Sequence, residues 1–259
     1  MKPQHRFFLL GPLLLGAASA CAPTVADVAD AESGESRETI SFGVPVTPGS
    51  SIARSTVMFL SAATEGKHGC SASLIDASHA LTAAHCTNSA QGVTDLILLF
   101  ATVYAPDAPT RPVTGMVTPG GFIGAPDIAV VEFAGGLPAG FAPVSLASAL
   151  PLPADTQLVH AGFGQTTSAN NDRGVLHAGL GRLQELLPSP PRYLAIGDSS
   201  ICSGDSGGPD YVRVGSSRRL IQVGVHVSGG CDTNPFSVST DVRAYLAWIR
   251  SVGATPQVD

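Results

Sequence analysis

The way this chain's apolar residues are cut into short runs limits the folds open to it. Strand-length runs recur between clusters of Gly, Pro, Ser and Asp: STVMFLSAA (55–63), SASLIDAS (71–78), DLILLFATVY (95–104), IAVVEFA (128–134), QLVHAGFG (157–164) and RRLIQVGVHVS (218–228). Several are rich in Val, Ile, Leu and Phe, which suit a pleated, half-buried surface. Twenty prolines and 29 glycines punctuate the chain. This texture predicts an all-β sandwich or barrel rather than alternating βαβ units. Two stretches read as helical. LTAAHCTN (81–88) offers a turn or two after a strand. At the C-terminus, STDVRAYLAWIRSVG (239–253) sets Val242, Tyr245, Leu246 and Ile249 on one face. Ser239, Thr240 or Asp241 can cap its start and Gly253 stops it.

The 259 residues suffice for a sizeable core in one large domain or two small ones. Charged residues make up 13% and the net charge is −6, without a run of Lys or Arg, so nothing argues for a nucleic-acid partner. Residues 1–20 have the pattern of a secretory signal: Lys2, His5 and Arg6, then the apolar run from Phe7 to Leu15, then small residues. Its end reads two ways. ASA suits a general signal peptidase. ASAC also resembles a bacterial lipoprotein box, with Ala18 where that box usually has Leu, and makes Cys21 a candidate for lipidation. Residues 21–39 are small, polar and acidic, as in a linker or prosegment. Of the five cysteines, Cys70, Cys86, Cys202 and Cys231 can pair within an exported domain, leaving Cys21 over.

Three sequence islands carry chemistry. A serine hydroxyl is a weak nucleophile at neutral pH; it needs a base in contact, a group that orients the base, and donors for the developing oxyanion. LTAAHC (81–86) offers His85, DIAVVEF (127–133) offers Asp127, and GDSGGP (204–209) offers Ser206. Each alone has an ordinary structural explanation: a core histidine, a strand-end aspartate, a tight glycine turn. Their joint occurrence in the order His, Asp, Ser carries the reading.

These motifs resemble the three signatures of the chymotrypsin/trypsin family of serine proteases. GCSASLI (69–75), HAGFGQT (160–166) and AYLAWI (244–249) add support, so the resemblance runs from about Ile40 to Val252. It implies two six-stranded antiparallel β-barrels with a C-terminal α-helix: barrel 1 about 40–145, barrel 2 about 146–238 and the helix about 239–252, within a protease domain of 40–259. It implies His85 as general base, Asp127 as its orienting partner and Ser206 as nucleophile. The N–H groups of Gly204 and Ser206 would form the oxyanion hole. It implies disulfides Cys70–Cys86 and Cys202–Cys231. Ser200 would lie at the base of the specificity pocket, His226, Val227 and Ser228 along its wall, and Phe236 and Ser237 at its rear. With no acid at Ser200, an uncharged side chain rather than Lys or Arg is the expected preference. Asp205 would receive a new ammonium after cleavage before Ile40, although ISFG departs from the family's usual Ile-Val-Gly-Gly.

The expected product is an exported serine endopeptidase, a monomer acting on protein or peptide, either secreted or lipid-anchored to a bacterial envelope through Cys21. No metal or organic cofactor is expected. Two alternatives stay open. GDSGG also satisfies the G-x-S-x-G elbow of α/β-hydrolase esterases. That fold needs an acid and then a histidine after the serine, and here only Asp210 precedes the single later histidine, His226. The other alternative is a non-catalytic homologue used for binding.

Overall fold

Strands β2 (Thr56–Ser61), β3 (Gly69–Leu74), β4 (His79–Thr82), β5 (Leu96–Leu99), β6 (Thr110–Val117) and β7 (Ala129–Phe133) close a six-stranded antiparallel barrel in the order β2-β3-β4-β7-β6-β5. They follow the short β1 (Val44–Pro45) and the one-turn helix α1 (Ser51–Ser55); helix α2 (Ala84–Asn88) follows β4. This computed structural model describes residues 40, 43–61, 69–88, 95–120 and 126–259. The expected signal segment, Cys21 and the 21–39 linker lie outside the described residues. Among the described residues no helix is long and apolar enough to cross a membrane.

After β8 (Ser145–Leu146) come β9 (Gln157–Gly162), β10 (His177–Pro188), β11 (Pro191–Ile196), β12 (Pro209–Val214), β13 (Arg219–Gly229) and β14 (Phe236–Asp241). These six close a second antiparallel barrel, β9-β10-β11-β14-β13-β12, through the pairings of β9 with both β10 and β12. β1 extends it at β10, and β8 lies parallel to β13. Bulges at Leu183/Glu185 in β10, at Val223 of β13 opposite Asp210/Tyr211 of β12, and at His226/Ser228 in β13 interrupt the ladders, which is how strands bend around a closed barrel.

Period-two alternation explains how two barrels share one chain. In β2, Val57 and Phe59 enter the core of barrel 1, while Met58 and Leu60 join a cluster between the barrels. β5 repeats this: Leu96 and Leu98 point inward, and Leu99 faces the second barrel. In β9, Leu158 packs inside barrel 2, while Val159 and Ala161 turn to the shared cluster. A one-residue register slip would exchange these faces, so the three cores specify the pairing.

The C-terminal segment begins as a 3-10 turn (Val242–Tyr245) and continues as helix α3 (Leu246–Ser251). Residues 239–241, read from sequence as helix start, are instead the last pairs of β14. Asp241 supplies the cap, accepting from the Arg243 N–H, and Gly253 ends the segment at φ +101°. Val242, Tyr245, Leu246 and Ile249 are all buried against barrel 1, so a segment that follows barrel 2 straps the first barrel to the rest.

Candidate active site

His85 sits in the first turn of α2, directly after the strand that lines barrel 1. Asp127 stands at the start of the segment leading into β7. β4 and β7 pair directly, with Thr82 opposite Ala129, which brings the two residues together. The Asp127 carboxylate is bound twice by His85. Its Oδ1 accepts the His85 backbone N–H at 2.9 Å, and its Oδ2 meets the imidazole Nδ1 at 2.7 Å. This fixes the ring's position and puts the Nδ1 proton toward the carboxylate, leaving Nε2 as the basic nitrogen. The imidazole is half exposed, whereas Asp127 is largely covered. Burial works to raise the Asp127 carboxyl, but the bonds from His85 and the nearby Arg192 outweigh it and hold the group below the ordinary carboxylate value. Thr240 adds a hydrogen bond from its hydroxyl to the Asp127 carbonyl, tying barrel 2 to this segment.

The loop carrying Ser206 joins β11 to β12 and packs against barrel 1 at the end of β4, where Cys86 Sγ lies 3.7 Å from the Ser206 carbonyl. A Cβ on Gly207 would lie 2.0 Å from Thr82 Oγ1 and 2.8 Å from the Ala83 nitrogen, and Gly207 has φ +79°, so glycine is required there. Ser71 of β3 clamps the loop twice: its N–H donates to the Ser206 carbonyl at 2.9 Å, and its hydroxyl donates to the Gly204 carbonyl at 3.0 Å. The Ser203 carbonyl accepts from Gln165, and the Asp205 carbonyl from Gly208. The loop's carbonyls from Ser203 to Ser206 are therefore all engaged within the protein. The N–H groups of Gly204 and Ser206, expected as oxyanion donors, have no acceptor among the described residues.

Asp205 is fully buried beneath this loop. Its carboxylate accepts the N–H groups of Gly164 at 2.7 Å and Cys202 at 2.8 Å, and no cationic side chain bonds it among the described residues. Burial raises its pKa despite these two bonds. Ile40, the expected source of a partner ammonium, is buried with its carbonyl accepting the Gly43 N–H.

The residues assigned to the specificity pocket converge from three segments. Ser200 is buried and donates its hydroxyl to the Phe236 carbonyl at 2.6 Å; the Ile201 N–H donates to Ser237 Oγ at 3.2 Å. Gly230 donates its N–H to the Phe236 carbonyl at 3.0 Å. Val227 is half-buried and Ser228 exposed on β13, and Phe236 is half-buried. Both disulfides are formed as the resemblance implied, Cys70–Cys86 with a Cα separation of 6.2 Å and Cys202–Cys231 with 4.6 Å. Such bonds suit an oxidising, extracellular setting.

Sequence reasoning placed His226 only on the pocket wall. Its side chain is fully buried and turns toward Asp210, whose Oδ1 lies 2.8 Å from His226 Nε2 and 2.5 Å from His160 Nδ1. Tyr193 and Ser239 both donate hydroxyls to Asp210 Oδ2 at 2.7 Å. His160 and Asp210 were missed because no local motif joins residues fifty positions apart. The usable signal was a polar residue in the inward register of an apolar strand: His160 shares Leu158's face of β9. His160, Asp210 and His226 also bring three potential metal-ligand atoms within 4.8 Å of one another, and hydrogen bonds among them account for that approach. In the other such group, Cys70, Cys86 and His85, both sulfurs belong to a disulfide.

Two closed six-stranded antiparallel barrels with a short C-terminal helix constitute the chymotrypsin-like fold. A family model described as Trypsin matches residues 40–249, which is most of the chain, and the chain belongs to that family of serine proteases. No curated protein matches it.

Proposed function

We propose that this chain is a serine endopeptidase that cleaves peptide bonds through an acyl-enzyme. The reading rests above all on the doubly anchored His85, whose Nδ1 is committed to Asp127 and whose Nε2 is left to accept a proton. Ser206 attacks the scissile carbonyl as His85 takes its proton. The same imidazole then returns that proton to the leaving amine. Asp127 stabilises the imidazolium formed in between, without itself being protonated. The N–H groups of Gly204 and Ser206 receive the oxyanion.

Ser200 puts no carboxylate at the pocket floor, its buried hydroxyl being donated to the Phe236 carbonyl, and Phe236 stands where the family often has a glycine. Small uncharged side chains are the substrates this favours. Activation follows cleavage before Ile40, whose new ammonium pairs with the buried Asp205; a buried carboxylate without a cation is costly, which supports the pairing. The enzyme is exported, and Cys21 carries a lipid if the segment before it is processed as a lipoprotein signal.

Hydrolysis of an unfolded protein and of a peptide library by the mature chain and by Ser206→Ala tests this reading. Endoproteolysis lost in Ser206→Ala is expected, with cleavage after small uncharged residues. Cleavage of short esters alone would support the esterase reading, and no turnover of either would support a binding homologue. N-terminal sequencing of active protein should begin at Ile40.

A further inference from the structure

His226 makes three hydrogen bonds to the nucleophile loop, and one comes from its side chain. Its backbone accepts the Gly207 N–H at 2.9 Å and donates to the Gly208 carbonyl at 2.8 Å. Its Nδ1 lies 3.2 Å from the Asp205 carbonyl, which also accepts the Gly208 N–H at 2.8 Å. The opposite ring nitrogen, Nε2, faces Asp210 Oδ1.

Both ring nitrogens therefore face oxygens, and a carbonyl oxygen can only accept. Asp210 is surrounded by four donors, from His160, His226, Tyr193 and Ser239, an arrangement that favours its carboxylate form. A carboxylate also only accepts, so both nitrogens of His226 carry protons. His160 faces Asp210 through Nδ1, and its Nε2 is buried without a hydrogen-bond partner. The charges of His226 and Asp210 then cancel inside the barrel. The directions agree. Burial opposes the cation, but Asp210 and then Asp205 outweigh it and raise His226; burial likewise opposes the anion, and the two imidazoles hold Asp210 well below the carboxylate range.

The Asp205–Ser206 peptide is trans, so its C=O and N–H point in opposite directions. A donor that holds the Asp205 carbonyl inward turns the Ser206 N–H outward. We infer that His226 is a buried imidazolium, paired with Asp210, that positions the Ser206 N–H for the oxyanion by adding a second anchor, beside the Gly208 N–H, to the Asp205 carbonyl. The inference rests on the protease reading for its catalytic consequence and on the hydrogen bonds alone for its charge state. His226 is a positioning residue and touches no reacting atom.

Two measurements test it. In the mature Ser206→Ala protein labelled with 15N-histidine, NMR at pH 7 should find both ring nitrogens of His226 protonated; a neutral single tautomer would overturn the inference whether or not the chain is a protease. In the active enzyme, His226→Gln keeps a donor for Asp210 but removes the side-chain donor to the Asp205 carbonyl, leaving only the Gly208 N–H there, whereas His226→Asn places its amide near the Nδ1 position. His226→Gln should lower kcat roughly 10- to 100-fold with KM within about twofold, and weaken a peptide boronate by the same factor. His226→Asn should recover most of that loss. Equal kcat in all three proteins would overturn the positioning role. A doubly protonated His226 in a chain without proteolysis would leave the imidazolium standing and reject the protease reading.

Discussion

Asp127 receives both hydrogen bonds that hold His85, so its replacement separates geometry from chemistry. In Asp127→Asn the amide nitrogen cannot accept the Nδ1 proton, and the imidazole takes the wrong tautomer. Peptide hydrolysis by the folded variant should fall roughly 10³- to 10⁴-fold in kcat. The floor beneath the nucleophile has a second sensitive point. A Cβ on Gly164 would lie 2.5 Å from Cγ of the fully buried Asp205 side chain and 2.7 Å from the Asp205 backbone nitrogen. Gly164→Ala should destabilise by about 1–3 kcal/mol and displace Asp205. Gly120→Ala, where a Cβ meets nothing within 4 Å, should be close to neutral. Thermal melts of the two variants check the contrast. At this scale the sequence was most legible where residues adjoin. GDSGGP holds the loop's glycines and its serine in six consecutive positions, but the Ser71 clamp and the His160–Asp210–His226 cluster come from separate strands with no shared spacing.

The elements differ in how plainly they could be read. β2, β5, β7 and β13 are rich in branched and aromatic residues, and their runs matched the strands found. β6, β10 and β14 did not stand out. β6 carries Pro112 and Gly115, β10 is interrupted by glycines and charged residues, and β14 reads FSVSTD. Their pairing partners, not their own propensity, make them strands. The helix stripe at Val242, Tyr245, Leu246 and Ile249 was legible because helical period and burial coincide. Ile249 is fully buried against barrel 1, so Ile249→Ala should cost about 2–5 kcal/mol and lower Tm, leaving kcat of the folded protein unchanged. β10 also carries a pH-dependent element. Burial lowers His177 from its ordinary 6.5 to about 4, more than the nearby Asp172 raises it. Between these values the unfolded chain binds a proton that the folded chain does not, so stability falls as pH drops through that window, by up to ~3 kcal/mol. His177→Asn should flatten urea-derived stability between pH 6.5 and 4. His226, raised rather than lowered, acts oppositely: its contribution is full below pH 6.5 and fades as pH rises through its folded value.

For the whole molecule, two barrels meet through a shared apolar cluster, and the nucleophile loop of one is clamped by Ser71 of the other. The double-barrel arrangement was legible only through the resemblance carried by three short motifs; composition and spacing reached no further than sandwich or barrel. Closure of each barrel depends on long-range pairs such as β2 with β5 and β9 with β12, which no local pattern records. The claim that joins the scales is that this interface presents Ser206 as an activated nucleophile. A serine-directed phosphonate, followed by peptide mass spectrometry, tests it most directly. The account predicts one adduct on Ser206 in the mature chain, lost in Ser206→Ala and strongly slowed in His85→Ala. An adduct on another serine, or undiminished peptide hydrolysis by Ser206→Ala, would contradict it.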